Sequence, residues 1–324
     1  MNKVQQEILK IYKLVKGICE KHNIPYYAIG GTAIGAIRHQ GFIPWDDDID
    51  IGILADDFER FKKACRKELP EPYEFKELLW IGGKIHNTST TFLEAHNFLN
   101  IDNYYGVFVD IFPLIGCPND PQEFSTFIKR LSLFKDRALT LDRYPKSADC
   151  IIRDLKTERR TLLSLYPTST SNKLLEFSFG LNYSNITEGL RNPIIKKFED
   201  TTIPVSSTYD KDLTELYGDY MTLPPKSERT GHSNSAFIDL NTPYKETFQK
   251  FHNLDKDLLQ LLEKNHRIAG DNFHTIHLMQ YEINRLNQEN TILQQSNTSL
   301  SQQLQNITNS KGWRILEKLR KIKA

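Results

Sequence analysis

The sequence predicts an α+β protein, in which a mixed sheet with flanking helices continues into a C-terminal coiled-coil helix. Short apolar runs alternate with amphipathic helical patterns as far as about residue 114, which is typical of a sheet packed against helices. Further along, apolar residues recur at alternating spacings of four and three, the seam of a coiled coil. We therefore divide the 324 residues into a globular domain at 1–245, a helical linker at 246–275, a coiled coil at 276–309 and a basic tail at 310–324.

The globular domain is predicted to begin with an amphipathic helix over residues 3–22. One face of this helix carries six apolar side chains: Val4, Ile8, Ile11, Leu14, Val15 and Ile18. An apolar run then ends at Ile29, where the pair Gly30-Gly31 indicates a turn. Residues 120–200 are expected to be mostly helical with a break at 168–172, and a further helix is expected at about 245–267.

Four carboxylates crowd into five positions at residues 46–50. If residues 48–51 form a strand, Asp48 and Asp50 project from one face and the isoleucines between them enter the core. Two neighbouring carboxylates repel each other unless a cation lies between them. The usual cation of an all-oxygen site that serves phosphates is Mg²⁺, with Mn²⁺ as the close substitute. Because the Gly30-Gly31 turn lets backbone amides approach an anion closely, the combination indicates a site for a nucleotide diphosphate.

The acidic segment can also be interpreted in two simpler ways. An Asp-rich turn is often only a solvated loop. A calcium-binding loop that starts at Asp46 would need glycine at its sixth position and glutamate at its twelfth. Ile51 and Asp57 stand at those positions, so the calcium interpretation is disfavoured.

A third carboxylate, Asp110, is the only charged residue in an apolar stretch at residues 104–117. Burying a carboxylate there is costly unless it is paired or coordinates a metal ion. We therefore expect Asp110 to face Asp48 and Asp50, either as a third metal ligand or as a base. The alternative is an aspartate that is simply solvated at the end of a strand.

Three groups of residues together resemble one known family. They are Gly30-Gly31-Thr32, then Gly35-Ala36-Ile37-Arg38-His39, then Ile43-Pro44-Trp45-Asp46-Asp47-Asp48-Ile49-Asp50. This order is similar to that of the LicD family of phosphocholine transferases, which is related to the fukutin-type ribitol-phosphate transferases. The segment around Asp110 also resembles the family's Val-Asp-Ile-Phe-Pro segment. The resemblance covers roughly residues 5–235 and implies a nucleotidyltransferase-like fold.

The resemblance implies a role for each matching residue. The catalytic and metal-binding set would be Asp48, Asp50 and Asp110. The substrate-binding set would be Gly30, Gly31, Thr32, Arg38, His39, Asp46, Lys84 and His232. Either Asp110 or Asp46 would take the proton of the acceptor. Arg38 and Lys84 would contact phosphate groups, although a surface arginine and an exposed lysine are the alternatives.

The implied reaction transfers a phospho-alcohol from a CDP-alcohol donor to a hydroxyl of a glycan, or of a lipid-linked glycan, with Mg²⁺ and with release of CMP. Such a glycan would be a cell-envelope precursor of lipopolysaccharide, teichoic acid or capsule. A glycosyltransferase that binds a sugar-nucleotide is the main alternative. It is disfavoured because the glycine turn lies about eighteen residues before the acidic pair, which is typical of nucleotidyltransferases. Two further interpretations are a true nucleotidyltransferase that releases pyrophosphate and a noncatalytic coiled-coil adaptor.

The C-terminal pattern predicts partners outside the reaction. Asn290 and Asn297 fall on the seam of the coiled coil, which favours a parallel homodimer over a single long helix. Residues 311–323 carry six basic side chains and one acidic one, with Trp313 and Leu316 near one helical face. This tail is expected to bind the anionic surface of a membrane peripherally, and a solvated tail is the alternative.

Composition excludes several classes of protein. The formal net charge is +1, with no basic run in the first 300 residues, so no nucleic-acid partner is expected. The chain has neither a run of about 18 apolar residues nor the apolar core of a signal peptide at its N-terminus. Four scattered cysteines indicate neither a disulfide framework nor a zinc site. We therefore expect a cytoplasmic protein, docked on the inner face of the cytoplasmic membrane where its tail binds lipid.

Overall fold

A computed structural model of the chain describes most of its N-terminal three quarters. The described residues are 1–79, 82–94, 105–143, 149–177, 187–229, 231 and 235–247, with isolated helical positions between 294 and 305. The chain divides into two compact units, Met1–Lys256 and Asp257–Ala324. Of the helix predicted at 245–267 only residues 245–247 are described, and these are helical. The rest of that helix, the basic tail and nearly all of the coiled coil lie outside the described residues. These three predictions therefore stay predictions.

The first unit is an α+β domain, as predicted. Its helices are α1 (Lys3–Lys21), α2 (Gly30–Ile34, continued by a π-helical turn at Gly35–His39), α3 (Ala55–Glu68), α4 (Pro121–Arg143), α5 (Asp149–Ser164), α6 (Thr187–Arg191) and α7 (Tyr209–Tyr217), with a 3₁₀ turn at Lys226–Glu228. Its strands are β1 (Tyr26–Ala28), β2 (Asp50–Leu54), β3 (Tyr73–Glu77), β4 (Gly83–Asn87), β5 (Thr91–Glu94), β6 (Phe108–Gly116), β7 (Leu174–Glu176), β8 (Ile194–Phe198), β9 (Thr201–Val205) and β10 (Ser235–Asp239). None of the described helices is long and apolar enough to cross a bilayer.

The largest sheet is mixed and has the strand order β1-β2-β6-β4-β3. Strands β2 and β6 are parallel, whereas the other pairs are antiparallel. One edge of the long central strand β6 pairs with β2, and the other pairs with β4 in its first half and with β7 in its second. Smaller sheets are formed by β5 with β10 and by β8 with β9. Because β6 touches three strands, its residues lie at the centre of the domain.

Helix α1 forms where the amphipathic pattern predicts it. Asn2 and Gln5 exchange side-chain and backbone hydrogen bonds in a capping box that satisfies amides at the start of the helix. Ile8, Ile11 and Val15 of the predicted face are buried in the largest hydrophobic cluster. The helix packs against α3 and β6, and it therefore covers part of one face of the sheet.

Strand β2 begins at Asp50, so the prediction of a strand over residues 48–51 is wrong at its first two positions. The chain is still turning before that point, since the Asp46 amide donates to the Ile43 carbonyl at 2.9 Å. The first contact with β6 is the bond from the Asp110 amide to the Ile49 carbonyl, also 2.9 Å long. Ile49 is nevertheless fully buried, as the alternation predicts.

Most of the described residues between 120 and 200 are helical, as predicted. Helices α4 and α5 build a second hydrophobic cluster, and the predicted break at 168–172 separates them from the next strand. Beyond the break the chain forms β7 and then the hairpin of β8 and β9. Strand β7 forms because the edge of β6 beyond β4 has unpaired backbone groups that another strand can satisfy.

Candidate active site

The Gly30-Gly31 turn connects β1 to α2 and lies against the acidic residues. Gly30 adopts φ +53°, in the left-handed region that favours glycine. A β-carbon on Gly30 would lie 3.3 Å from Oδ2 of Asp50 and 3.5 Å from the hydroxyl of Tyr217. One on Gly31 would lie 3.2 Å from Oδ2 of Asp46. The missing side chains therefore keep open a space that is bounded by two carboxylates and a phenol.

Thr32 ties this turn to the strand beside it. Its hydroxyl oxygen accepts a hydrogen bond of 2.8 Å from the Asp50 amide, and the Ile29 amide donates to the Asp50 carbonyl at 3.2 Å. Asp50 is thus held from both sides of its peptide unit. Within this structure Thr32 positions Asp50, and its predicted contact with substrate stays a prediction.

The carboxylates of the acidic segment converge. Single oxygens of Asp46, Asp47 and Asp48 lie within 4.8 Å of one another, the one such group of possible metal ligands among the described residues. Asp50 and Asp110 stand at directly paired positions of the parallel strands β2 and β6. Of the predicted set, Asp50 therefore stands beside Asp110, and the charges of Asp48 and Asp110 both act on it. Among the described residues, however, the carboxylates that come within ligand distance of one another are those of residues 46–48.

Burial, followed by repulsion between the carboxylates, raises the pKa of two of these groups. Burial raises the pKa of Asp46 to about 6, and the charge of Asp47 adds to the rise. Burial also raises the pKa of Asp50 well above its usual range, and the charges of Asp48 and Asp110 raise it further. Each shift means that the folded chain holds a negative charge there at a cost in free energy. A bound cation would offset that cost.

The donor set fits a hard divalent cation. It consists of carboxylate oxygens, which are the ligands that Mg²⁺ and Mn²⁺ accept. Asp46 is only 4% exposed, and its Oδ1 atom is buried without a hydrogen-bond donor among the described residues. A buried carboxylate oxygen without a donor is what a metal ion or an ordered water would satisfy.

Lys84 lies beside Asp110, because the two residues occupy directly paired positions of the antiparallel strands β4 and β6. The residue is 3% exposed, so the alternative of an exposed lysine is wrong. Its Nζ atom is 3.5 Å from Oδ1 of Asp110 and 3.3 Å from the centre of the Phe108 ring. Lys84 therefore compensates the charge of Asp110 from inside the sheet, and its predicted contact with a phosphate stays a prediction.

Removing this compensation should destabilise the fold. Lys84→Met leaves the Asp110 charge without its buried partner, for which we expect a loss of roughly 3–5 kcal/mol in the free energy of unfolding. Urea unfolding checks the value. The double variant Lys84→Met/Asp110→Asn should recover most of the loss because it removes both charges. A single variant as stable as the wild type would show that the pair does not hold Asp110.

Arg38 and His39 occupy the end of the helical segment that starts at Gly30. Arg38 donates from Nε to Nε2 of His39 at 2.9 Å and from Nη1 to the carbonyl of Tyr220, with a longer contact of 3.5 Å to the carbonyl of Thr222. Burial and the Arg38 charge lower the pKa of His39, which keeps it a neutral acceptor. Arg38 thus holds the backbone at Tyr220 and Thr222, whereas His39 accepts from Arg38 and lies against Trp45. The predicted phosphate and substrate contacts of both residues stay predictions.

Two described residues after Leu223 lie against the segment that carries the acidic residues. Arg229 lies 5.3 Å from the Trp45 ring and donates to the Pro224 carbonyl at 2.9 Å. A β-carbon on Gly231 would lie 2.7 Å from Oδ2 of Asp47, so only glycine fits there without displacing that carboxylate. His232, predicted to touch substrate, lies outside the described residues.

Two residues of the site are not among those predicted from the sequence. Glu176, at the end of β7, is 5% exposed, and its charge adds to the raised pKa of Asp50 after burial, Asp48 and Asp110. Like Asp110 it is a lone acid in an apolar run, and that signal could have found it. Tyr217 is the last residue of α7, and nothing in the sequence around it indicates that its hydroxyl reaches Gly30.

The glycine turn gives a sharp test of this geometry. Gly30→Ala places a methyl group at a positive φ and into the space beside Asp50, so we expect a loss of about 1–2 kcal/mol in unfolding free energy. We also expect weaker binding of a nucleotide diphosphate, if the predicted site is correct. Gly17→Ala is the matched control, since its β-carbon meets nothing within 4 Å in the middle of α1. It should raise stability by about 0.5–1 kcal/mol, and equal behaviour of the two variants would contradict this view of the turn.

Comparisons with known proteins agree with the motifs. Residues 23–139 match the LicD/FKTN/FKRP family, nucleotidyltransferase domain. Over 262 residues, 69% of this chain and 92% of the relative, the chain is 29% identical to the lipopolysaccharide cholinephosphotransferase LicD of Haemophilus influenzae. Over 68 residues it is 42% identical to the ribitol 5-phosphate transferase FKRP of Mus musculus and of Homo sapiens, which is 21% of this chain and 14% of those proteins.

Solved structures add little. The antibiotic-resistance factor ANT(2'')-Ia aligns with 50% of this chain and 91% of its own, at 13% identity and a TM-score of 0.24, a likeness too weak to carry an argument. The family match, in contrast, spans the glycine turn, the acidic segment, Lys84 and Asp110. The resemblance to the LicD family predicted from the motifs is therefore confirmed for residues 23–139.

Proposed function

We propose that this chain is a metal-dependent transferase that moves a phospho-alcohol from a CDP-activated donor to a hydroxyl of a glycan. The observation that supports this most is the contact of the Gly30-Gly31 turn with the carboxylates of Asp46 and Asp50, inside the segment of the LicD type. The names of two relatives, a cholinephosphotransferase and a ribitol 5-phosphate transferase, describe transfer of this class. We further infer a nucleotidyltransferase-like fold from the parallel pairing of β2 with β6, which sets Asp50 beside Asp110.

Binding of the donor follows from the shape and charge of the turn. The donor diphosphate lies in the space that Gly30 and Gly31 leave open, where no β-carbon blocks the backbone. Asp48, Asp50 and Asp110 would hold Mg²⁺ with the help of Asp46. When it is bound, Mg²⁺ neutralises charge on the phosphate oxygens and the carboxylates, and it polarises the phosphorus centre.

The transfer step needs little covalent chemistry from the protein. The oxygen of the acceptor hydroxyl forms a bond to the β-phosphorus as the bond to the oxygen of CMP breaks, and CMP leaves with that electron pair. The acceptor's proton passes to one of two carboxylates. Asp46 has a pKa near 6 through burial and the Asp47 charge, and Asp110 is held in place by Lys84. The chain's main contribution is to position these groups.

The predicted partners belong to the same proposal. The acceptor is a glycan or lipid-linked glycan of the cell envelope, reached from the cytoplasmic side of the membrane. The heptad pattern at 276–309 makes the protein a homodimer, and the basic tail at 310–324 binds anionic lipid. These proposals rest on the sequence pattern alone.

A donor panel tests the proposed function. Purified protein is supplied with Mg²⁺, a glycan-lipid extract and CDP-choline, CDP-ribitol or CDP-glycerol in turn, and released CMP is measured. We expect one donor to react, and the Asp48→Asn variant and a chelator each to abolish the reaction. If a sugar-nucleotide or a nucleoside triphosphate reacts in place of every CDP-alcohol, the phospho-alcohol assignment is wrong.

A further inference from the structure

Tyr217 brings a hydroxyl group to the space that the Gly30-Gly31 turn leaves open. Its oxygen lies 3.5 Å from the point where a β-carbon of Gly30 would sit, and Oδ2 of Asp50 lies 3.3 Å from the same point. Among the described residues, no hydrogen bond occupies this hydroxyl. The residue as a whole is 47% exposed, so solvent reaches part of it while its oxygen lies at the turn. A ligand entering that space from solvent would meet the hydroxyl.

The carboxylates around this hydroxyl explain why a neutral hydrogen-bond donor is needed there. Carboxylates dominate the space, because the charges of Asp50, Glu176 and Asp46 all act on Tyr217. A phosphate group placed there is anionic and needs hydrogen-bond donors. The two cationic side chains predicted to serve it have protein partners, since Lys84 lies against Asp110 and Arg38 donates to backbone carbonyls. A neutral phenol supplies a donor at this position without a further buried charge.

The backbone that carries Tyr217 is held by contacts on both sides of it. Tyr217 is the last residue of α7, and Gly218 with φ +67° turns the chain away while its amide donates to the Thr214 carbonyl at 2.9 Å. Three residues after Tyr217, the hydroxyl of Tyr220 donates to Asp210 at the start of α7, at 2.8 Å. Arg38 in turn holds the carbonyl of Tyr220. The end of α7 is therefore braced against the helical segment that begins at Gly30.

We propose that the Tyr217 hydroxyl is a substrate-binding group of the site, which donates a hydrogen bond to a phosphate oxygen of the donor seated against Gly30. This deepens the proposed function, on which it rests for the identity of the donor. It requires only that a diphosphate occupies the turn, so a binding measurement can test it apart from turnover.

The test compares Tyr217→Phe with the wild type by calorimetric titration of CDP and of inorganic pyrophosphate, each with Mg²⁺. Loss of one hydrogen bond to a charged group should weaken binding by about 10- to 100-fold at unchanged thermal stability. Tyr166→Phe is the matched control, because its ring packs on Phe127 in the second hydrophobic cluster. It should bind both probes like the wild type.

The outcomes separate this inference from the proposed function. If Tyr217→Phe binds both probes as tightly as the wild type, or if the wild type binds neither, the inference is overturned. If the variant binds pyrophosphate more weakly but no CDP-alcohol is turned over by the wild type, Tyr217 contacts phosphate and the proposed donor class fails. If CMP release occurs and the variant's affinity for CDP is unchanged, the proposed function stands without Tyr217.

Discussion

Asp50→Asn should lower the rate of phospho-alcohol transfer by about a thousandfold or more, since losing even one preorganised electrostatic group typically costs about 10²–10³. The variant should nevertheless be at least as stable as the wild type in the absence of metal. Asparagine has nearly the shape of aspartate, and its amide carries no charge to be repelled by Asp48 and Asp110. The raised pKa of Asp50, caused first by burial and then by those charges, already shows that its ionised form is disfavoured in the fold.

The measurement pairs the transfer rate with thermal unfolding in chelator. Asp200→Asn is the matched control, because Asp200 contacts Lys13 in a surface pair that contributes little to stability. That variant should keep both the activity and the melting temperature of the wild type. A stable, fully active Asp50→Asn protein would remove Asp50 from the reaction. A clearly destabilised one would show that the acidic residues do not repel one another in the fold.

Mg²⁺ should stabilise the protein strongly at pH 8 and hardly at all at pH 5. Without metal, Asp46 and Asp50 both have a higher pKa in the folded chain than the ordinary value of about 3.9, with Asp46 near 6 from burial and the Asp47 charge. An acid whose pKa is raised by folding binds its proton more tightly in the folded state. Its contribution to stability is therefore present at low pH and is lost as the pH rises from about 4 through about 6.

Metal binding has the opposite dependence on pH, because the ligands must be ionised to bind Mg²⁺. At about 100 times its dissociation constant a ligand adds about 2.7 kcal/mol to the free energy of unfolding. For a domain of this size each kcal/mol raises the melting temperature by roughly 2–4 °C. Thermal scans with MgCl₂ and with NaCl of equal ionic strength would separate binding from screening. A magnesium effect that is independent of pH, or that persists in Asp50→Asn, would place the metal elsewhere.

The residues that the sequence could predict are those whose signal is local. Gly30 can be predicted because a glycine pair indicates a turn. Asp50 can be predicted because aspartate and isoleucine alternate around it, as in a strand. Asp110 shows itself as a charge in an apolar run, and the parallel register sets it beside Asp50 as expected. These three positions account for most of the site's shape.

The rest depends on contacts between distant parts of the chain. Whether Lys84 is exposed or buried depends on which strand it pairs with, and only the structure shows it against Asp110. The backbone carbonyls that accept from Arg38 lie more than 180 residues away, at Tyr220 and Thr222. The sequence pattern places the start of β2 too early because alternation continues through Asp48, whereas the backbone pairs only from Asp50. No local pattern carries such information.

Following the β-phosphorus of the donor tests the central claim most directly. The wild-type protein is incubated with Mg²⁺, its acceptor and a CDP-alcohol labelled at the phosphorus next to the alcohol. If the chain transfers a phospho-alcohol, the label and the alcohol move together onto the glycan while unlabelled CMP is released. Label that stays with the nucleotide, or a glycan that gains the nucleotide itself, would contradict the assignment.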